Sequence, residues 1–139
     1  MSSLVIAGDT SGTVTLQAPG IAGGTTITLP NTSSSMGFLN IPAVGTKTTS
    51  YTLSTVDVGK YIEVGNSGSI VVPNNIFTQG DAITVYNNTT NTIAITCSAT
   101  TTFISGINTV KTSMNLQSRG LVTLLFMSST FCVASGAVV

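Results

Sequence analysis

Histidine and tryptophan are both absent from this sequence, and charge is scarce, with four Lys/Arg and four Asp/Glu in 139 residues. Without imidazole the chain lacks the side chain most used as a general base and metal ligand near neutral pH. The acids are Asp9, Asp57, Glu63 and Asp81, and the bases are Lys47, Lys60, Lys111 and Arg119. A two-carboxylate hydrolase needs two of those four acids facing one cleft. Each has a simpler role to hand. Asp57 is a turn residue before Gly59, Asp81 follows Gly80 at a strand start, Glu63 and Lys60 suit a solvated face, and Asp9 lies in the turn Gly8-Asp-Thr-Ser-Gly12. The expectation is a protein that is not an enzyme and carries no cofactor or metal.

Other absences narrow the field further. Four dispersed basic residues without tryptophan make no nucleic-acid surface. No apolar run approaches the roughly 20 residues of a spanning helix, so no membrane association is expected. The stretch Gly20-Ile-Ala-Gly-Gly24 is followed by neither lysine nor a helix signal, so it is not a phosphate-binding loop. Asp9-Thr-Ser-Gly12 matches the Asp-Thr/Ser-Gly order of aspartic proteases. A single copy in so short a chain could work only in a homodimer, and a turn is the expected role. Met1–Ala7 has no basic flank and too short an apolar stretch for a signal peptide, which predicts synthesis in a cytoplasm. Only two cysteines occur, Cys97 and Cys132, each within alternating apolar residues. Both read as reduced, buried hydrophobes rather than a disulfide.

What fills the space is 25 Thr, 17 Ser and 10 Asn, while 42% of residues remain hydrophobic. Threonine suits strands, serine and asparagine suit turns, and few positions favour helix. The hydrophobic share is enough for a core, so disorder is excluded. A neutral chain with a mean hydropathy of +0.48 has little charge to oppose association. It reads as a subunit that covers itself with partners.

Along the chain, residues 1–45 differ from residues 46–139. In the first part Val14 and Leu16 alternate, as do Ile27 and Leu29, but Pro19-Gly20, Gly23-Gly24, Pro30-Asn31 and Thr32-Ser33-Ser34-Ser35 divide them. That pattern predicts an extended N-terminal arm that attaches to something else, with Val14, Leu16, Ile27 and Leu29 as its contact residues. From Thr46 strand signals are dense: Ser50–Leu53, Tyr61–Val64, Ser69–Val72, Ala82–Asn87, Ile93–Cys97, Leu121–Met127 and Phe131–Ala134. Their spacing predicts an all-β domain, an antiparallel β-sandwich or small barrel. Two hairpins are expected, one across the loop Asn87–Asn91 and one across Met127–Thr130. Helix should be limited to a turn near Thr55–Val58, and a chain starting at Thr46 should fold alone.

Two stretches resemble bacteriophage virion proteins. Ser3–Pro19, continuing through Ala22–Pro30, is similar to an N-terminal segment of phage virion and tail-fibre proteins. Tyr51-Thr-Leu-Ser-Thr-Val-Asp-Val-Gly-Lys-Tyr-Ile-Glu-Val64, with Gly80–Val85 and Leu121–Gly136, is similar to a β-domain of such proteins; its closing strand often carries tryptophan where Phe131 stands here. The resemblance implies a virion structural protein made in a bacterial host. It leaves head and tail open; the short length, the arm plus one β-domain and the neutral charge suit a capsid decoration (cement) protein that binds the major capsid protein or other virion proteins as a homotrimer. The alternative is a short tail fibre whose Asn87–Asn91 loop contacts a host glycan. A carbohydrate-binding module unrelated to phage is a weaker reading, with only Tyr51, Tyr61 and Tyr86 as polar aromatics.

Overall fold

The computed structural model describes residues 3–7, 9–17, 20–21, 24, 41–97 and 101–139. The chain divides into two compact units, Met1–Met36 and Gly37–Val139. In the first, strands β1 (Ser3–Ala7) and β2 (Thr13–Gln17) form an antiparallel hairpin. Its turn includes Gly12, whose φ of +83° lies in the region that glycine enters freely.

The described residues of the second unit are all β apart from one 3₁₀ turn at Thr55–Asp57, where the sequence places its only helical turn. Its strands are β3 (Ala43–Lys47), β4 (Ser50–Thr52), β5 (Tyr61–Val64), β6 (Ser69–Val72), β7 (Ala82–Asn87), β8 (Ile93–Cys97), β9 (Thr101–Ile104), β10 (Val110–Lys111), β11 (Ser113–Leu116), β12 (Leu121–Ser128) and β13 (Phe131–Gly136). They make a seven-stranded sheet, ordered β10-β9-β13-β12-β7-β5-β3, and a four-stranded sheet, ordered β11-β8-β6-β4. Among the described residues no helix is long and apolar enough to cross a membrane.

The sheets are mixed, not antiparallel throughout as the strand spacing suggested. From β3 to β8 the chain alternates between them, so β3, β5 and β7 lie parallel in one sheet and β4, β6 and β8 parallel in the other. This is coil-on-coil winding of the solenoid kind: Tyr61 pairs with Ala43 of the coil before it, and Thr84 pairs with Tyr61. The corner between β5 and β6 rests on the previous coil, with the Gly65 N–H donating to the Lys47 carbonyl at 2.9 Å. A Cβ on Gly68 would lie 2.4 Å from that same carbonyl oxygen, so only glycine fits there.

The hairpin expected across Asn87–Asn91 is therefore not one, because β7 and β8 belong to different sheets. Alternation shows that a strand has one buried face but not which strand is its neighbour. The hairpin β12–β13 does form, antiparallel and bulged between Phe126 and Ser128, and β12 also pairs antiparallel with β7. The division at residue 45 also shifts. Ala43–Lys47 is part of the seven-stranded sheet, paired parallel with β5, and the second unit starts at Gly37.

Inward-facing residues of both sheets build one core, including Ile62, Val64, Ile70, Val72, Ile83, Val85, Ile95, Val122 and Leu124. Phe77 stacks on Phe126 with centroids 4.0 Å apart. Cys97 packs on the inward side with Ile93 and Ile95, while Cys132 is buried between the partly exposed Phe131 and Val133. Both thiols are free.

Candidate assembly site

The β1–β2 register pairs Leu4 with Leu16 and Ile6 with Val14. Since side chains alternate along a strand, these four share one face of the hairpin, and each is 52–62% exposed. A two-stranded hairpin has no second layer of its own to cover such a face. The arm residues Val14 and Leu16 are thus brought together with Leu4 and Ile6, which the unbroken run Leu4-Val5-Ile6 conceals. Ile27 and Leu29 lie outside the described residues. Asp9, exposed in the turn, is the hairpin's one charged residue.

At the start of the second unit a polar cluster fastens the first coil. Asp57 is fully buried. Its carboxylate accepts hydrogen bonds from the Ser54 N–H at 2.8 Å, the Ser54 hydroxyl at 3.1 Å and the Tyr51 hydroxyl at 3.0 Å. The Lys47 ammonium sits 4.3 Å from the centroid of the Tyr51 ring. Burial, with the Asp57 carboxylate beside it, pushes the Tyr51 hydroxyl above its ordinary pKa. Lys47, Tyr51, Ser54 and Asp57 are thereby joined across β3, β4 and the 3₁₀ turn. The turn role read for Asp57 holds, but its burial and its tie to Tyr51 are new.

Two of the other acids, Asp81 and Glu63, also have local partners. Asp81 accepts from the Thr78 N–H at 2.9 Å, and Glu63 accepts from the Asn88 amide at 2.7 Å. Arg119 donates to the Asn88 side-chain oxygen. No cluster of three or more potential metal ligands occurs among the described residues.

In the loop read as a possible glycan contact, Asn87 and Thr89 turn inward while Asn88, Thr90 and Asn91 are exposed. Asn87 is fully buried, and its amide donates to the carbonyls of Asn91, Leu116 and Gln117. Its side-chain oxygen accepts from the Thr89 N–H and hydroxyl. These bonds carry the chain from one sheet to the other. Asn87 continues the inward positions Ile83 and Val85 of its strand, whereas its hydrogen-bond partners at Leu116 and Gln117 lie far along the chain and could not be read locally.

The thiols are deeply held. Burial raises Cys97, and burial together with the neighbouring Cys97 pushes Cys132 up to about 12. Neither can serve as a nucleophile near neutral pH. What the described surface offers is exposed apolar strand, not an array of reactive groups. No protein-family model matches the chain, and a search of curated proteins finds no match to it.

Proposed function

We propose that this chain is a non-enzymatic structural subunit of a bacteriophage particle, a capsid decoration protein that binds the head shell as a homotrimer. The observation that carries this reading is the exposed apolar face of the N-terminal hairpin, Leu4, Ile6, Val14 and Leu16. A chain with an apolar hairpin in one unit and a separately cored β unit suits attachment: one part folds, the other is held by what it binds. The scarcity of charge, and the commitment of Asp57, Asp81 and Glu63 to local hydrogen bonds, support a structural role over catalysis. The polar atoms of Asn87 and Thr89 serve the turn, which leaves the glycan-contacting alternative without a specific observation in its favour.

The test is attachment of purified chain to phage particles lacking it, read by co-sedimentation and by density on the particle. The full chain should bind the icosahedral shell, and the combined L4S/I6S/V14S/L16S variant should not. Density confined to the tail, or unchanged binding by the variant, would overturn the reading.

A further inference from the structure

The two sheets differ on their outer faces. On the four-stranded sheet the outward positions are Ser50, Thr52, Ser69, Val71, Ala94, Thr96, Ser113 and Asn115, polar but for two. On the seven-stranded sheet the β strands nearest the C-terminus present a different surface. Registers place Leu125 opposite Val133, Val133 opposite Phe103, and Phe103 opposite Val110. Their neighbours in sequence, such as Leu124, Ala134 and Ile104, are buried on the inner side, so these four form one outward row across β12, β13, β9 and β10. Met127, Ile107 and Phe131 extend the row, and Phe131 meets Phe103 edge to face at 5.6 Å. Leu125, Met127, Ile107 and Val110 are each 40–53% exposed.

We infer that this outer face is the surface through which one copy of the chain binds a second copy. No outward position of β12, β13, β9 or β10 is charged, so copies meet there without like-charge repulsion. Seven partly open apolar side chains amount to on the order of 400 Å², a patch size that is often functional on a monomer. A stable interface uses about 800 Å² per partner, a little over half of it apolar, which this patch supplies almost alone. A polar border is present too: Thr84, Thr123 and Ser135 line up across β7, β12 and β13, with the two threonine hydroxyls 3.1 Å apart.

The relief of the face sets how copies meet. Phe103, Phe131, Val133 and the turn Ser105–Asn108 line an open hollow of about 510 Å³, and Leu125 and Met127 stand on β12 alongside β13. Leu125 and Met127 lie apart from the hollow on one surface, a layout in which these side chains of one copy can meet the hollow of the next. A head-to-tail contact gives a ring when its rotation closes, and for closure at three copies this rests on the homotrimer proposed above.

Sedimentation of the purified full chain over a concentration series tests the inference without any particle. Leu125→Asp and Val110→Asp each place a carboxylate on the face without touching the core. Each should weaken self-association by about 30-fold or more, as loss of an interface hot spot does, with the thermal melt of the dissociated unit retained. Thr96→Asp, on the outer face of the other sheet, should associate as the parent does. A parent chain that stays monomeric throughout, association by both variants at the parent's strength, or an equal loss in Thr96→Asp would each overturn it. Should association behave as expected while particles fail to bind the chain, the virion reading falls and this one stands.

Discussion

Replacing Asp57 tests whether the buried cluster at the start of the second unit holds the first coil in place. Its carboxylate takes hydrogen bonds from the Ser54 N–H, the Ser54 hydroxyl and the Tyr51 hydroxyl. A hydrogen bond to a charged group contributes about 1.5–3 kcal/mol, and loss of a helix-capping carboxylate about 0.5–2 kcal/mol. Ser54 and Tyr51 are only partly buried, so water recovers some of that in Asp57→Ala. The expected loss is therefore about 2–4 kcal/mol. For a domain near 100 residues each kcal/mol moves Tm by about 4–8 °C, so Asp57→Ala should melt roughly 8–32 °C lower. Asp57→Asn keeps one acceptor for the Ser54 N–H and can donate to the Tyr51 oxygen, so it should lose about half as much. Tyr51→Phe removes one donor and leaves the ring under Lys47, at about 1 kcal/mol. In a double-mutant cycle read by thermal and urea melts, Asp57→Ala and Tyr51→Phe should fall short of additivity by about 1 kcal/mol. An Ala variant within 1 kcal/mol of the parent, or an Asn variant as damaged as Ala, would refute the reasoning.

Two further outcomes follow from the strand register and the thiols. A chain beginning at Gly37 should melt cooperatively within about 1 kcal/mol of the full chain, whereas one beginning at Thr48 loses β3, the partly buried Val44 and the Lys47–Tyr51 contact. With about 0.5–1 kcal/mol for the cation–π pair and part of the roughly 1.5–3 kcal/mol of a buried valine, the shorter chain should melt visibly lower; equal melts would count against β3 as a working strand. For Cys132, raised from 9.0 to about 12, the folded state holds the neutral thiol and the unfolded state ionises first. Its contribution is full below pH 9.0 and is lost as pH rises through about 12. Alkaline melts should show that decline, and Cys132→Ala should be less stable at neutral pH yet lose less across the same window; an identical alkaline slope would exclude the thiol as its source.

Much of the second unit was legible wherever large apolar residues alternate with polar ones. Tyr61–Val64, Ser69–Val72 and Ala82–Asn87 are strands at the predicted bounds, because period-two burial leaves its mark in the sequence. Pairing was not legible. Parallel neighbours in a coil lie about twenty residues apart, and nothing in a strand's own composition says whether its partner precedes it by a turn or by a circuit. The missed strands are β3, β9, β10 and β11, in which apolar residues are few and lie among polar residues or glycine. β3 turns only Val44 toward the core, and Gly45, at φ +99°, belongs to an edge bulge. β11 has only Met114 and Leu116 on its inner side, among Ser113 and Asn115. For the assembly site the alternation of Val14 and Leu16 could be read, but Leu4 and Ile6 join them only through the hairpin register. The outward row Leu125, Val133, Phe103 and Val110 draws on four strands, and no local window contains it.

The alternation of β3 through β8 between two sheets has a consequence for size. Each circuit of the chain adds one strand to each sheet while the cross-section between them repeats, so the thickness of this body grows in steps of one strand spacing, about 4.8 Å. A coil added or removed would change the reach of the unit by that fixed increment and leave the layers above it in register. The end formed by β10 and β11 cannot grow this way, because the strands there run antiparallel to their neighbours β9 and β8. Length is thus adjustable only from the β3–β4 end, where the corner on Lys47 and Gly68 already shows how tightly one coil must seat on the next.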